Sequence, residues 1–492
     1  MQEIIKIKNG VTRMPEWRMA KPVDFTLNNG EHIAILGPNG GGKSMLVDII
    51  IGRHPLLMHD PEYDFSPSKA ELVSDNIKYI TFRDSYGDND GMYYLQQRWN
   101  QHDIDESTPT AGKLLEEAFE MSGDNNKERR DLQNRLYHLF GIDNMLDKYI
   151  ISLSSGELRK FQLTRTLLSF PRVLIMDNPF IGLDSETRNQ LKQLLKTLAE
   201  ERELQIIIVL SKNDDLPEFI THVVEVDNMT VYPKVTKSQY IDSRKGKQLK
   251  RLPDNKADII MSLPQQETIK SDEIVRFTDI KIAYGNRTIL KDLSWTVNKG
   301  ERWALSGSNG SGKSTLLSLI CADNPQAYAC DISLFGTKRG SGESIWEIKK
   351  HIGYVSPEMH RAYRQDIAAI RVVASGLKDS VGLYARPDDA EYETCKRWMD
   401  IFGIAQLADR PFLKLSSGEQ RLVLLVRAFV KDPELLILDE PFHGLDDDNR
   451  QMVTDIIETF CKRKDKTLIM VTHYLDELPQ CVNKHITLKR HQ

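Results

Sequence analysis

The sequence predicts an α/β protein in which one domain is written twice, and three observations carry that prediction. A glycine-rich stretch, Gly37-Pro-Asn39-Gly40-Gly-Gly42-Lys43-Ser44, returns as Gly307-Ser-Asn309-Gly310-Ser-Gly312-Lys313-Ser314. Before each lies a turn and a short apolar run, Asn28-Asn-Gly-Glu31 to Leu36 and Asn298-Lys-Gly-Glu301 to Ser306. Late in each copy, Leu153-Ser154-Ser-Gly156-Glu157 returns as Leu415-Ser416-Ser-Gly418-Glu419, ahead of an apolar run ending in aspartate. Strands that alternate with helices in this order pack as a mainly parallel sheet, with the glycine loops at strand ends.

The elements follow in order. A helix opens after each loop, over Met45 to Ile51 and Thr315 to Ile320. The segments Ala111 to Phe140 and Glu391 to Phe402 read as helical and supply a smaller helical subdomain to each copy. The aspartate-ending runs, Val173 to Asp177 and Leu435 to Asp439, have strand length, as do Ile206 to Leu210 and Leu468 to Val471. The first domain is expected over 1–239 and the second over 271–492. Between them 240–270, with Pro253, Pro264 and the basic run Arg244 to Arg251, is expected to be a solvated linker. Pro55 to Asp105, rich in Asp, Asn, Ser and Tyr, is expected to be a surface insertion open to a partner.

Composition narrows the class. With 492 residues, the chain can bury two or three cores. A net charge of -5 and the lack of a sustained basic domain remove the simplest argument for nucleic acid. Apolar runs stay at strand length, below the 18 or so residues of a membrane-spanning helix. The start, Met1 to Lys8, alternates like a strand. A cytoplasmic protein is expected, at most peripheral on the inner face of the membrane. Five cysteines, all in the second half and without a CxxC pair, read as scattered thiols of a reducing compartment.

Both glycine stretches fit G-x-x-x-x-G-K-S, in which glycine amides wrap phosphates, lysine reaches the β/γ-phosphates and serine holds magnesium. The two Leu-Ser-Ser-Gly-Glu elements narrow this to one class, because the chain resembles ATP-binding cassette proteins over nearly all of both halves. That resemblance implies two cassettes packed head to tail within the chain, with no homodimer required. Each signature then closes over nucleotide held by the other half, a serine and helix N-terminal amides meeting the γ-phosphate.

Carried over residue by residue, one site would use Gly37, Asn39, Gly40, Gly42, Lys43, Ser44 and Asp177 with Ser416 and Gly418. The other would use Gly307, Asn309, Gly310, Gly312, Lys313, Ser314, Thr315, Asp439, Glu440 and His473 with Ser154 and Gly156. Magnesium would be held by Ser44 and Asp177 in the first and by Ser314 and Asp439 in the second. Lys313, Asp439, Glu440 and His473 would be the catalytic set, Glu440 orienting the attacking water and His473 touching the γ-phosphate. The first site lacks two of these groups, having Asn178 where Glu440 stands and Ser211 or Lys212 in place of the histidine. It is expected to bind ATP and hydrolyse it weakly, unless Asp214 or Asp215 substitutes as base.

Three further positions follow from the resemblance. Tyr284 matches the aromatic residue that stacks on adenine; its counterpart is Met14, with Trp17 nearby. Where the family has a magnesium-sensing glutamine, this chain has Glu358 and Arg83. Gly182-Leu-Asp184 and Gly444-Leu-Asp446 match the loop that communicates between sites.

Leu334 to Tyr354 and the Pro-Phe-x-Gly-Leu-Asp segments are similar to those of the double-cassette proteins encoded beside molybdate-uptake genes. The expected function is therefore an ATPase that drives a separate membrane permease, with molybdate implied by resemblance alone. The alternative is a regulatory, translation-associated or repair-associated ATPase without a permease. Translation factors of this kind usually carry a longer charged linker and a hydrolytic glutamate in both halves, which weighs against that alternative.

Overall fold

The computed structural model describes residues 2–81, 108–123, 127–150, 153, 155–180, 183, 185–201, 204–211, 216–245, 249–264, 270–284, 287–308, 310–357, 359, 363, 366–379, 387–472 and 477–489. The chain divides into two compact units, Met1–Lys247 and Gln248–Gln492.

In the first unit the strands Ile77–Thr81, Val173–Asp177, Gln205–Leu210, Ile33–Leu36 and His222–Asp227 lie side by side in that order, all parallel. Gln205–Leu210 is buried at every position, as a β-branched run in the middle of a parallel sheet should be. Alternate residues serve two cores. Ala34, Leu36, Leu174, Met176, Ile206 and Ile208 pack on the helical side. Ile33, Ile35, Val173, Ile175, Ile207 and Val209 pack toward a small antiparallel sheet of Glu3–Gly10, Val23–Asn28 and Glu62–Tyr63.

The second unit repeats the plan. Ile352–Val355, Leu435–Asp439, Thr467–Val471, Arg302–Gly307 and Lys484–Leu488 form a parallel sheet in that order. Leu436, Leu438, Leu468 and Met470 face the helices, and Leu435, Ile437, Ile469 and Val471 face the antiparallel sheet built on Glu273–Tyr284 and Arg287–Asn298. The same alternation on the same strands is the structural form of the repeat.

The helical region of the first unit is two helices, Ala111–Met121 and Lys127–Phe140, rather than one continuous stretch. In the second unit Asp389–Ile401 starts at a capping box in which Asp388 and Glu391 satisfy each other's backbone N–H groups. Its Trp398 lies 5.5 Å from the Phe429 ring, which in turn lies 5.4 Å from Phe402 and 5.1 Å from Phe460. This buried aromatic cluster joins three helices, Asp389–Ile401, Ser417–Phe429 and Asp447–Lys462.

The stretch expected to be a solvated linker contains two packed helices. Lys237–Arg244 begins at a Thr236/Gln239 capping box and buries Tyr240 in the first unit. Asp254–Ser262 buries Ile260 in the second unit's core, and the Leu252 amide donates to Asp455 at 3.0 Å. The Thr-x-x-Gln signal and the apolar Ile259, Ile260 and Leu263 were outweighed in the sequence by the surrounding charge. Pro55 to Asp105 is also only partly an insertion. Glu62–Tyr63 pairs with the first strand, Ile77–Thr81 belongs to the parallel sheet, and 82–105 lies outside the described residues. Among the described residues no helix is long and apolar enough to cross a membrane.

Candidate nucleotide sites

Each glycine loop joins a parallel strand to a helix, Ile33–Leu36 to Lys43–Ile50 and Arg302–Gly307 to Lys313–Ile320. The helices start on left-handed glycines, Gly42 (φ +106°) and Gly312 (φ +94°). Only glycine fits the first loop position. A Cβ on Gly37 would lie 1.9 Å from the Val226 carbonyl oxygen, and one on Gly307 would lie 2.7 Å from that of Leu488. Lys43 Nζ donates to the carbonyls of Gly37 and Pro38, both at 2.8 Å. Lys313 does the same to Gly307 at 2.7 Å and Ser308 at 3.1 Å. Each loop is therefore a backbone cradle with an ammonium across its mouth and a serine, Ser44 or Ser314, in the first helical turn.

The aspartates come to the cradles because of strand order. In each sheet one strand separates the aspartate-ending strand from the strand that feeds the loop: Gln205–Leu210 in the first unit and Thr467–Val471 in the second. Asp177 and Asp439 thus end beside the phosphate loops, and a serine hydroxyl with a carboxylate is the hard-oxygen set that suits magnesium bound alongside phosphates. Asp177 accepts the Tyr79 hydroxyl at 3.2 Å and the Asn178 amide at 2.8 Å.

After each aspartate the backbone turns left-handed, at Asn178 (φ +48°) and Glu440 (φ +53°). Their amides donate to matched partners, Val209 at 2.8 Å and Val471 at 2.9 Å. For a glutamate this conformation costs on the order of 1–3 kcal/mol, whereas asparagine tolerates it more readily. Burial, then the neighbouring Asp439 and Glu477 carboxylates, push the Glu440 carboxyl up to about 8, against the opposing pull of Lys313 and Arg421. A carboxyl held near neutrality beside a phosphate cradle is chemically suited to accept a proton from water.

Other expected residues fall unevenly. Ser211 directly follows the strand Gln205–Leu210 and its hydroxyl donates to Asn39 at 3.1 Å, so it reaches the first phosphate loop directly. His473, Asn309, Glu358, Ser154, Arg83, Lys212, Asp214, Asp215, Gly182 and Asp184 lie outside the described residues. Thr472, immediately before His473, is buried at the end of the strand between Asp439 and the second loop. Tyr284 is 39% exposed, and its hydroxyl accepts the Asn324 amide at 3.0 Å. Its counterpart Met14 is exposed, while Trp17 stacks on His54 with ring centroids 4.7 Å apart.

In the second unit Ser416 caps its helix, accepting the Glu419 amide and donating its hydroxyl to the Glu419 carboxylate at 2.8 Å. Gly418 is buried in the first turn. In the first unit a Cβ on Gly156 would meet Thr187 Cγ2 at 2.8 Å.

Sequence reasoning passed over one residue of each site. Arg421, 2% exposed, donates through Nη2 to the carbonyls of Asp439 (2.7 Å) and Glu440, and through Nε to that of Pro441 (3.3 Å). Arg159 donates to the Pro179 carbonyl at 2.6 Å. The signal was present, since Glu157-Leu-Arg159 and Glu419-Gln-Arg421 share the arginine at the same spacing.

Comparison with known proteins agrees with this geometry. The ABC transporter family profile matches residues 20–181 and 290–443. The chain is 35% identical over 491 residues to the ABC transporter ATP-binding protein ModF of Escherichia coli K12, covering 98% of this chain and 96% of that one. It is 29% identical over 491 residues to the uncharacterized ABC transporter ATP-binding protein C323.04 of Schizosaccharomyces pombe, covering 98% and 97%. Among solved structures, an archaeal ribosome recycling factor, aABCE1, in complex with the stalk protein aP1 matches at 18% identity and a TM-score of 0.55, covering 97% of this chain and 87% of that one. RNase-L Inhibitor matches with the same TM-score and coverage at 17% identity. At such identities the structural likeness shows the fold.

Proposed function

This chain belongs to the ABC transporter family as a tandem ATP-binding and ATP-hydrolysing protein, and we propose that it works as an asymmetric ATP switch with one hydrolysing and one retaining site. One observation carries this reading: the two halves build the same left-handed turn after the aspartate, and place Glu440 in one and Asn178 in the other. The glutamate can accept a proton and orient water, whereas the asparagine amide donates a hydrogen bond to Asp177 instead.

In the proposed hydrolytic site the loop amides and Lys313 hold the β/γ-phosphates, and Ser314 and Asp439 would hold magnesium, which neutralises phosphate charge when bound. Glu440 positions the attacking water and takes up its proton, and His473 is the residue assigned to the γ-phosphate. The chain's contribution is placement and charge compensation. In the retaining site Lys43, Ser44 and Asp177 bind ATP in the same way without a carboxylate to activate water. The signatures would be exchanged between halves, Ser154 and Gly156 serving the Glu440 site, Ser416 and Gly418 the Asn178 site.

The work done by closure is proposed to fall on a large cytosolic assembly, without a permease. Support comes from solved chains that match along both halves, whose titles name a ribosome recycling factor and a ribosome-bound ABCE1. A second reading, coupling to a permease, draws on the printed name of the full-length E. coli relative, an ABC transporter ATP-binding protein. Molybdate enters only through that second reading. The two separate by fractionation of cells expressing tagged Glu440→Gln protein, locked with ATP. Co-sedimentation with ribosomes supports the first reading; retention on membranes with a permease subunit overturns it in favour of the second.

A further inference from the structure

We infer that Arg421 is a positioning residue for hydrolysis, holding the backbone turn that aims Glu440 and tying the signature helix to that carboxylate. The second half of this statement rests on the exchanged-signature reading above.

The turn is pinned from two sides. On one side the Glu440 amide donates to Val471, the last residue of the neighbouring strand. On the other, one guanidinium collects the carbonyls of Asp439, Glu440 and Pro441. Three successive carbonyls can converge on one side chain here because the chain reverses at Glu440 with φ +53°. Without those bonds the left-handed residue has less to hold it, and it would relax toward the ordinary right-handed or extended regions and swing its carboxyl away. Arginine suits the task because its planar fork presents five donors, whereas lysine offers a single point charge.

The same side chain belongs to the helix Ser417–Phe429, capped by Ser416. From Ser416 to Arg421 is roughly 7.5 Å along the axis of a rigid helix. A group that pulls on Ser416 therefore moves the guanidinium on which the Glu440 turn hangs. Under the exchanged-signature reading that group is ATP in the Asn178 site. The retaining site would then set the aim of the hydrolytic carboxylate by a direct mechanical path within one half. In the first half Arg159 makes the equivalent of one of these bonds, donating to the carbonyl of Pro179, the residue after Asn178, at 2.6 Å.

The test is steady-state ATPase kinetics on the full-length Arg421→Met and Arg421→Lys proteins, with ATP affinity and thermal unfolding measured alongside. Arg421→Met is expected to lower kcat by about 100-fold, the scale of a misplacement near 1 Å, with KM and ATP affinity changed less than about two-fold. Arg421→Lys should recover part of that loss, and it carries the test should the methionine protein fail to fold. Unchanged kcat in a folded variant, or a loss of ATP affinity matching the loss of kcat, overturns the positioning role. The link to the signature is read by combining Ser416→Ala with Arg421→Met. If Ser416→Ala slows turnover in the native background but adds nothing beside Arg421→Met, the path through the guanidinium is supported. Additive losses overturn the path and leave exchange standing. If Ser416→Ala has no effect in the native background, the path from Ser416 through the guanidinium fails, the comparison of Ser154→Ala with Ser416→Ala decides exchange, and the kcat result still decides the positioning role.

Discussion

The Asn178 side-chain amide donates to the Asp177 carboxylate at 2.8 Å, a bond that a carboxylate in the same place could not supply. Asn178→Glu would replace a donor with a second negative charge beside Asp177. Hydrolysis at that site is expected to rise only partly, by less than about ten-fold, since general-base help is one of several missing contributions. Single-turnover release of phosphate from the Glu440→Gln, Asn178→Glu double variant measures this. Full native activity there would show that the glutamate alone was lacking.

Glu440→Gln should lower turnover by at least ~100-fold and leave ATP binding intact, because water orientation is lost and the cradle is kept. Phosphate release measured beside equilibrium ATP binding checks it. An active glutamine variant would mean that another residue handles the water.

The two loop lysines should not be equivalent. Lys313→Ala should abolish chemistry, whereas Lys43→Ala should mainly shorten retention of one bound nucleotide. A chase of labelled ATP on the native protein should show one slow and one fast site; two fast sites would refute retention at the Asn178 site.

Ser154→Ala should damage turnover more than Ser416→Ala, since Ser154 is assigned to the site of Glu440. A larger loss from Ser416→Ala would reverse the assignment of signatures to sites.

Acid should weaken the second unit through Glu301. Burial alone would raise its pKa, but hydrogen bonds from Lys484, the Asn298 amide, Trp303 and the Asn298 side chain outweigh it and hold the carboxyl down at about 2. A carboxylate depressed on folding stabilises above its unfolded pKa, near 4.5, and loses that contribution as pH falls toward about 2. The Tm of native protein should thus fall more steeply between these values than that of Glu301→Gln; parallel curves would contradict it. In the first unit burial opposes ionisation of Glu31, but hydrogen bonds from Lys234 and Asn28 outweigh it and shift its carboxyl in the same direction.

The duplicated α/β plan was legible because its signals are local. Apolar runs such as Leu435 to Asp439 and Ile206 to Leu210 can be little else than buried strands. Gly37 and Gly307 stand where any side chain would strike a carbonyl. The phosphate loops and the aspartates after the strands followed from the same reading. What sequence could not give was contact across distance. Arg421 is five residues beyond Ser416 but bonds to carbonyls at 439–441, and no periodicity announces that. The helices at 237–244 and 254–262 were hidden for a different reason, because their charged faces outnumber the few apolar residues that anchor them.

The aromatic cluster around Trp398 gives this protein a built-in optical reporter. The indole is buried against Phe429, in the helix that carries both Ser416 and Arg421. Any tilt of that helix changes the packing of the ring, and its emission should shift with it. With Trp17, Trp99, Trp295, Trp303 and Trp346 replaced by phenylalanine, Trp398 is the one indole left and its signal is read without background. Nucleotide-driven motion of the signature helix could then be followed in real time, without attaching a dye.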